Sequence, residues 1–115
     1  MNSSAIDAAT FDALRETTGA EFVRELADTF LAEAPQMLGD LRQSLAAMDA
    51  ERFRRAAHSL KSNGSTFGAL ELADIARDLE LSGVAQVSGR GPQALAAVEA
   101  EYARTAAALK DLRNG

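Results

Sequence analysis

The fold is decided by residues 50–69, which read AERFRRAAHSLKSNGSTFGA. Apolar or small residues recur in this stretch at intervals of three and four, which is the spacing of one buried helix face. These residues are Phe53, Ala57, Leu60 and Gly64. Asp49 is typical of a helix N-cap, and residues 63–68 should carry the helix end and a tight connection. The stretch therefore predicts an amphipathic helix packed on others.

The segments before this helix show the same helical spacing, and none alternates convincingly as a strand would. Asp7 and Gly19 bound a predicted short first helix, in which Ile6 and Phe11 can form a hydrophobic staple. A longer second helix begins near Ala20 and continues through Pro35, where we expect a kink rather than two separate helices. Its expected core stripe is Phe22, Leu26, Phe30, Met37, Leu41 and Met48.

The carboxyl-terminal part of the chain predicts two more helices. The fourth spans residues 69–82 and stops at Gly83, and the glycine-rich residues 83–91 predict a flexible loop. Pro92 fits the first position of the final helix. The residues expected to face the core in these helices are Leu72, Ile75, Ala76, Leu79, Leu95, Val98, Tyr102, Thr105, Leu109 and Leu112. The fold class is accordingly all-α, an antiparallel four-helix bundle with a short additional N-terminal helix.

Composition limits the number of domains and the kinds of site. A chain of 115 residues, 47% hydrophobic and 25% charged, predicts one globular domain over residues 1–115. No signal peptide or membrane span is visible, so we expect a cytoplasmic protein without membrane contact. A net charge of −5 argues against nucleic acid as a partner. With no cysteine and one histidine, a usual zinc site is excluded and no cofactor is expected.

The single histidine, His58, is the candidate reactive group. At about 100° per residue it lies roughly 140° from Phe53, on the solvent side of its helix. Arg54, Lys61 and Ser62 share that side, as does Ser65. Positive charge is concentrated around the histidine, in Arg52, Arg54, Arg55 and Lys61. An exposed imidazole near small and basic side chains is accessible to a macromolecular donor.

The motif around His58 resembles the signature of the histidine-containing phosphotransfer (HPt) family. Residues 57–69, AHSLKSNGSTFGA, carry histidine, then leucine at +2, lysine at +3, small residues at +4 to +6, and glycine-alanine at +10 and +11. Residues 70–80, LELADIARDLE, resemble the family's next helix. Serine at position 62 departs from the glycine of many relatives, but it is also small.

The resemblance implies a phosphorelay intermediate that is not itself an enzyme. His58 is then the phosphoacceptor nucleophile, and Lys61 neutralises phosphoryl charge. Glu80 on the neighbouring helix orients the imidazole. Receiver domains of hybrid histidine kinases and response regulators are the expected partners, and they dock on the second and third helices. The expected docking residues are Arg54, Arg55, Ser62 and Ser65. Mg²⁺ is expected only on the receiver.

Three other functions remain compatible with the sequence. The first is the phosphoacceptor domain of a chemotaxis-type histidine kinase, although a chain starting at Met1 and ending soon after the last helix favours a freestanding protein, which we expect to be a monomer. The second is a helical adaptor whose histidine is never phosphorylated. The third is a small enzyme that uses His58 as a general base.

Overall fold

The computed structural model describes residues 5–114, with side chains for residues 5–113. This part of the chain forms five helices: α1 (Ala8–Thr18), α2 (Ala20–Ala47), α3 (Ala50–Phe67), α4 (Leu70–Ser88) and α5 (Ala96–Asn114). The described residues contain no strand, so the predicted all-α class is confirmed. Residues 1–4 and 115 of the predicted domain lie outside this description. None of the described helices combines the length and hydropathy that a membrane span requires.

The start of α1 is fixed by a side-chain cap, as predicted. The Asp7 carboxylate accepts hydrogen bonds from the Thr10 amide at 3.0 Å and from the Thr10 hydroxyl at 2.6 Å. Ile6 and Phe11 flank this cap and are both buried. The Asp7 amide donates to the Gly68 carbonyl at 2.8 Å, which ties the beginning of α1 to the end of α3.

Helix α2 runs through Pro35 without interruption, as predicted, but its two ends correct the predicted core stripe. Phe22 is 49% exposed because the adjacent Val23 occupies the buried position. Met48 is 51% exposed because it lies beyond the last residue of the helix, in a left-handed conformation with φ 55°. The buried side of α2 consists of Val23, Ala27, Phe30, Ala34, Leu41 and Ser44.

Helices α3 and α4 are joined by two residues, Gly68 and Ala69. Gly68 has φ 83°, a conformation that glycine adopts without the strain that a side chain would cause. A Cβ atom at this position would also lie 2.8 Å from Thr10 Cβ. The Ala69 amide donates to the Gly64 carbonyl at 2.7 Å and closes the turn. The predicted tight connection is therefore present, and α3 continues to Phe67.

The boundaries of α4 and α5 differ from the sequence prediction. The predicted stop at Gly83 is present as a break within α4, but the predicted loop over residues 83–91 is helical as far as Ser88. At Gly83 the backbone leaves helical geometry, with φ 82° and ψ 166°, and the helix resumes at the next residue. Pro92 lies in a turn, and α5 begins at Ala96. The glycine thus interrupts the helix, and helical structure resumes after it.

The core lies between the helices and is built around phenylalanine side chains. Phe30 from α2 contacts the Phe67 ring of α3 at a centroid distance of 5.7 Å and the Tyr102 ring of α5 at 5.9 Å. Helix α3 packs most extensively on α4 and next on α2. Its buried side includes Phe53 and Leu60. The opposite side of α3 is left exposed, and His58 lies on it.

Candidate functional site

His58 lies on the exposed side of α3, as its helical position predicts. Its side chain is 53% exposed. The neighbouring Ala57 and Leu60 are fully buried and hold this turn of α3 against the core. The imidazole is therefore carried by a rigid element and remains open to a partner protein.

Glu80 of α4 contacts His58 across the helix interface. Its Oε2 atom lies 2.9 Å from His58 Nδ1, and its side chain is only 15% exposed. An ionised carboxylate can only accept a hydrogen bond, so Nδ1 is the donor in this contact. The second ring nitrogen, Nε2, then carries the lone pair. The geometry thus selects one neutral tautomer of the imidazole. In this tautomer the nucleophilic nitrogen, Nε2, is not the one that bonds to Glu80.

Lys61 joins the same carboxylate from one turn further along α3. Its Nζ atom lies 2.8 Å from Glu80 Oε1. This hydrogen bond holds the pKa of the Glu80 carboxyl below its ordinary value; the contact with His58 acts in the same direction, and partial burial opposes both. The two oxygens of Glu80 thus hold an imidazole and an ammonium group side by side. Lys61 is 30% exposed, so its charge lies near the surface beside His58.

The arginines of the predicted basic cluster have carboxylate partners of their own. Arg54 donates to Glu51 at 2.8 Å; this bond raises the pKa of Arg54, with a smaller contribution from the charge of Glu80. Arg55 is 69% exposed, and its Nε atom is 3.9 Å from the same Glu51 carboxylate. Arg52 instead reaches α2, where it bonds to Asp40 at 2.7 Å. These arginines therefore bond to carboxylates rather than to His58.

The predicted docking residues lie around an open surface. Ser62 and Ser65 are exposed on α3. On the other flank, a groove of about 350 Å³ separates α2 from α3. It is lined by Met37, Asp40, Arg52, Arg55, Ala56 and Ser59. The sequence predicts docking on α2 and α3 and identifies Arg55, but not Met37 and Asp40 of α2, because helical periodicity does not show which side chains of two helices lie opposite each other.

The sequence matches the Hpt domain family over residues 25–115, which is most of the chain. The protein therefore belongs to the Hpt domain family. It is a histidine phosphotransfer module, an intermediate of phosphorelay in two-component signalling, with receiver domains as its class of partner.

A solved structure supports the same assignment. The chain is similar to the crystal structure of histidine-containing phosphotransfer protein B (HptB) from Pseudomonas aeruginosa PAO1, with 30% sequence identity and a TM-score of 0.86. The match covers 98% of this chain and 97% of the HptB chain. No curated protein sequence matches the chain significantly. The family favours phosphotransfer over the adaptor and small-enzyme alternatives.

Proposed function

We propose that His58 carries the phosphoryl group on Nε2, accepting it from the aspartyl phosphate of one receiver domain and passing it to the aspartate of another. The observation that carries this proposal is the contact between His58 Nδ1 and Glu80 Oε2, 2.9 Å long, on a histidine that is 53% exposed. It leaves the other nitrogen free in a position that a second protein can reach.

The transfer step follows from this geometry. The Nε2 lone pair attacks phosphorus, the bond between phosphorus and the aspartate oxygen breaks, and that carboxylate leaves with the bonding electrons. The Nδ1 proton stays on the ring, where Glu80 stabilises the positive charge that the imidazole gains. The return step reverses these changes on the second receiver. No proton has to be removed from Nε2 before attack, because the selected tautomer has none there.

Lys61 neutralises part of the phosphoryl charge in the transition state. It lies one turn from His58 on the same helix, and side chains three residues apart are neighbours on a helix surface. In the unphosphorylated protein its ammonium is held at 2.8 Å by Glu80. The ammonium is therefore already beside the imidazole, and a small rotation of a flexible side chain brings it to a phosphoryl oxygen.

Receivers of hybrid histidine kinases and of response regulators dock on α2 and α3 around His58. The groove between these helices supports this, since it combines apolar Met37 and Ala56 with the basic side chain of Arg55. Arg54, Ser62 and Ser65 complete the docking surface, and their exposure is consistent with that role. The receiver supplies Mg²⁺ and the groups that activate its aspartyl phosphate, and this chain needs no cofactor and has no independent catalytic site.

The protein acts as a cytoplasmic monomer whose helices α2 to α5 form an antiparallel four-helix bundle, with α1 as a short additional helix. Two-residue connections join α2 to α3 and α3 to α4, and short connections favour antiparallel neighbours. The packing of α5 on both α4 and α2 supports closure of the bundle.

The test is phosphotransfer from a panel of phosphorylated receivers to the purified protein and to His58→Gln. The parent should acquire a label that is lost in acid and retained in base, as expected for a phosphoramidate, and the variant should acquire none. Circular dichroism on both proteins controls for folding. Label on a folded His58→Gln variant would contradict the site assignment, and failure of the parent with every receiver would contradict the function.

A further inference from the structure

Glu80 lies on the last turn of α4 before the backbone leaves helical geometry. Gly83 interrupts the helix with φ 82° and ψ 166°, and Glu80 is three residues before it. The last carbonyl groups before a helix end lack the amide partners that they have in a helix interior. The side chain that contacts His58 and Lys61 is therefore carried by the last turn before a break.

Arg90 reaches back over this break from beyond the end of α4. Its guanidinium donates to Asp78 Oδ2 at 2.8 Å and to Ser82 Oγ at 2.8 Å. The Ser82 hydroxyl in turn donates to Asp78 Oδ1 at 3.2 Å, so the three side chains form a closed network. Asp78 and Ser82 are four residues apart and bracket the turn that carries Glu80.

This network holds the turn from the side opposite to the histidine. At about 100° per residue, Asp78 and Ser82 each lie about 160° from Glu80 around the helix axis. Arg90 bonds to Asp78 and Ser82, whereas Glu80 bonds to His58 and Lys61, so Arg90 can affect the site by fixing the backbone of α4. The hydrogen bond from Arg90 also holds the pKa of Asp78 below its ordinary value, so the carboxylate remains charged at neutral pH.

We propose that Arg90 is a positioning residue for phosphoryl transfer: by binding Asp78 and Ser82 it holds the turn before Gly83 so that Glu80 stays on His58 and Lys61. This inference rests on the proposed roles of His58 and Glu80. Arg90 and Asp78 are 37% and 58% exposed, and exposed ion pairs are weak and screened by salt. The effect should therefore be moderate, about threefold on the transfer rate, and smaller at high salt.

The first experiment is a double-mutant cycle on the rate of phosphoryl transfer from a receiver. Arg90→Ala should slow transfer in the parent but have no further effect in a Glu80→Ala background, because the network acts through Glu80. Asp78→Asn removes the other end of the ion pair and should reproduce the result. Arg42→Ala is the matched control, since it removes an exposed ion pair of 2.6 Å to Glu99 elsewhere on the molecule and should leave the rate unchanged.

The second experiment does not depend on phosphotransfer. Long-range ¹⁵N–¹H NMR of the unphosphorylated protein at pH 8 reports the imidazole tautomer, and the single histidine makes the assignment unambiguous. The parent should hold the proton on Nδ1, Glu80→Ala should move it largely to Nε2, and Arg90→Ala should give an intermediate population.

The outcomes separate this inference from the function on which it rests. An unchanged tautomer in folded Arg90→Ala and Asp78→Asn, or equal slowing with and without Glu80, would overturn the role of Arg90. A tautomer shift in a protein that accepts no phosphoryl group would support the positioning role while overturning the proposed function. Thermal melts identify any variant that is unfolded. If Arg90→Ala or Asp78→Asn is unfolded, the tautomer and transfer rate of the other variant decide whether Arg90 positions Glu80.

Discussion

Replacing Lys61 tests most directly whether a positive charge beside His58 speeds phosphoryl transfer. Lys61→Ala removes an ammonium that lies 2.8 Å from Glu80 and one turn from His58. We expect phosphoryl transfer to slow about tenfold, which corresponds to a loss of about 1.4 kcal/mol of charge stabilisation. Stopped-flow transfer at several ionic strengths measures this.

The matched control for this prediction is Lys110→Ala. Lys110 is the only other lysine of the chain and is exposed on α5, so its removal changes the net charge equally. It should leave the transfer rate near that of the parent. Equal slowing by both substitutions would mean that overall charge, rather than the position of Lys61, sets the rate.

Ser62 tests whether the surface beside His58 must be small. It is exposed on α3 one turn after the histidine, and a branched side chain there would hold a receiver away from the imidazole. Ser62→Leu should keep cooperative melting yet accept phosphoryl groups slowly from every receiver, whereas Ser62→Gly should transfer nearly as the parent does. Thermal melts and transfer assays on both variants measure this. Normal transfer by Ser62→Leu, or its unfolding, would place Ser62 outside an open docking surface.

At the scale of the helices, the close approach of α3 to α4 depends on Gly64. A Cβ atom there would lie 3.2 Å from the Ala69 carbonyl oxygen and 3.3 Å from the Ala73 amide nitrogen. These are backbone atoms, so they cannot rotate away as a flexible side chain could. Gly64→Ala should therefore lower the free energy of unfolding by about 1–2 kcal/mol, although alanine favours the helix.

Gly39→Ala is the control for this change, because no atom outside its local surroundings lies within 4 Å of a Cβ atom built there. Gly39 is inside α2, and the substitution should stabilise the protein by up to about 1 kcal/mol through helix propensity. Urea unfolding of both variants gives the comparison. If both variants were stabilised alike, α4 would be able to move away from α3 at little cost.

Within α4, the helix breaks at Gly83 but then resumes, for a physical reason. Glycine near the end of an apolar stripe is a common helix stop, which is why the sequence predicts an end at Gly83. Val84 and Val87 are buried, however, and their burial against the core favours a second helical segment after the break. Tertiary packing thus continues the helix and places Arg90 where it can reach Asp78.

The whole molecule is an elongated bundle whose length is set by its longest helix. A helix of 28 residues, such as α2, is about 42 Å long at 1.5 Å per residue, close to the largest extent of 41 Å. Ion pairs join neighbouring segments along this length: Asp40 of α2 binds Arg52 of α3, and Glu80 of α4 binds Lys61 of α3. Stability should therefore respond to the charge state of these carboxylates.

The expected response is a loss of stability in acid. Hydrogen bonds from Arg52, Arg90 and Lys61 hold the pKa values of Asp40, Asp78 and Glu80 below their ordinary values. A carboxyl group with a lowered folded-state pKa stabilises the fold above its unfolded-state pKa, and this stabilisation is lost as pH falls through the folded-state pKa. The urea concentration at the unfolding midpoint should thus decrease as the pH is lowered below about 4.5.

Asp40→Asn provides the comparison for this prediction. The variant lacks one of the paired carboxylates, so it should be less stable than the parent near neutral pH and should lose less stability between pH 5 and pH 3. Urea unfolding at several pH values measures both curves. A parent midpoint that rises as pH falls through this range would contradict the assigned direction.

The sequence by itself determined the features that depend on neighbours along the chain. These features are the helical spacing, the caps at Asp7 and Asp49, and the turn at Gly68. Each acts within one or two turns, so the helices and the outward position of His58 could be predicted from local patterns. The family motif, also local in sequence, directed attention to Lys61.

Only the tertiary structure decided how the helices face one another. Which of Phe22 and Val23 is buried depends on the packing of α2, and the continuation of α4 past Gly83 depends on a core that periodicity does not describe. The contact between His58 and Glu80 joins residues 22 positions apart on different helices. The family resemblance suggested that His58 and Glu80 form a pair. The distance between them follows from the packing of α3 on α4, because side chains on separate helices meet only where the packed core brings their backbones together.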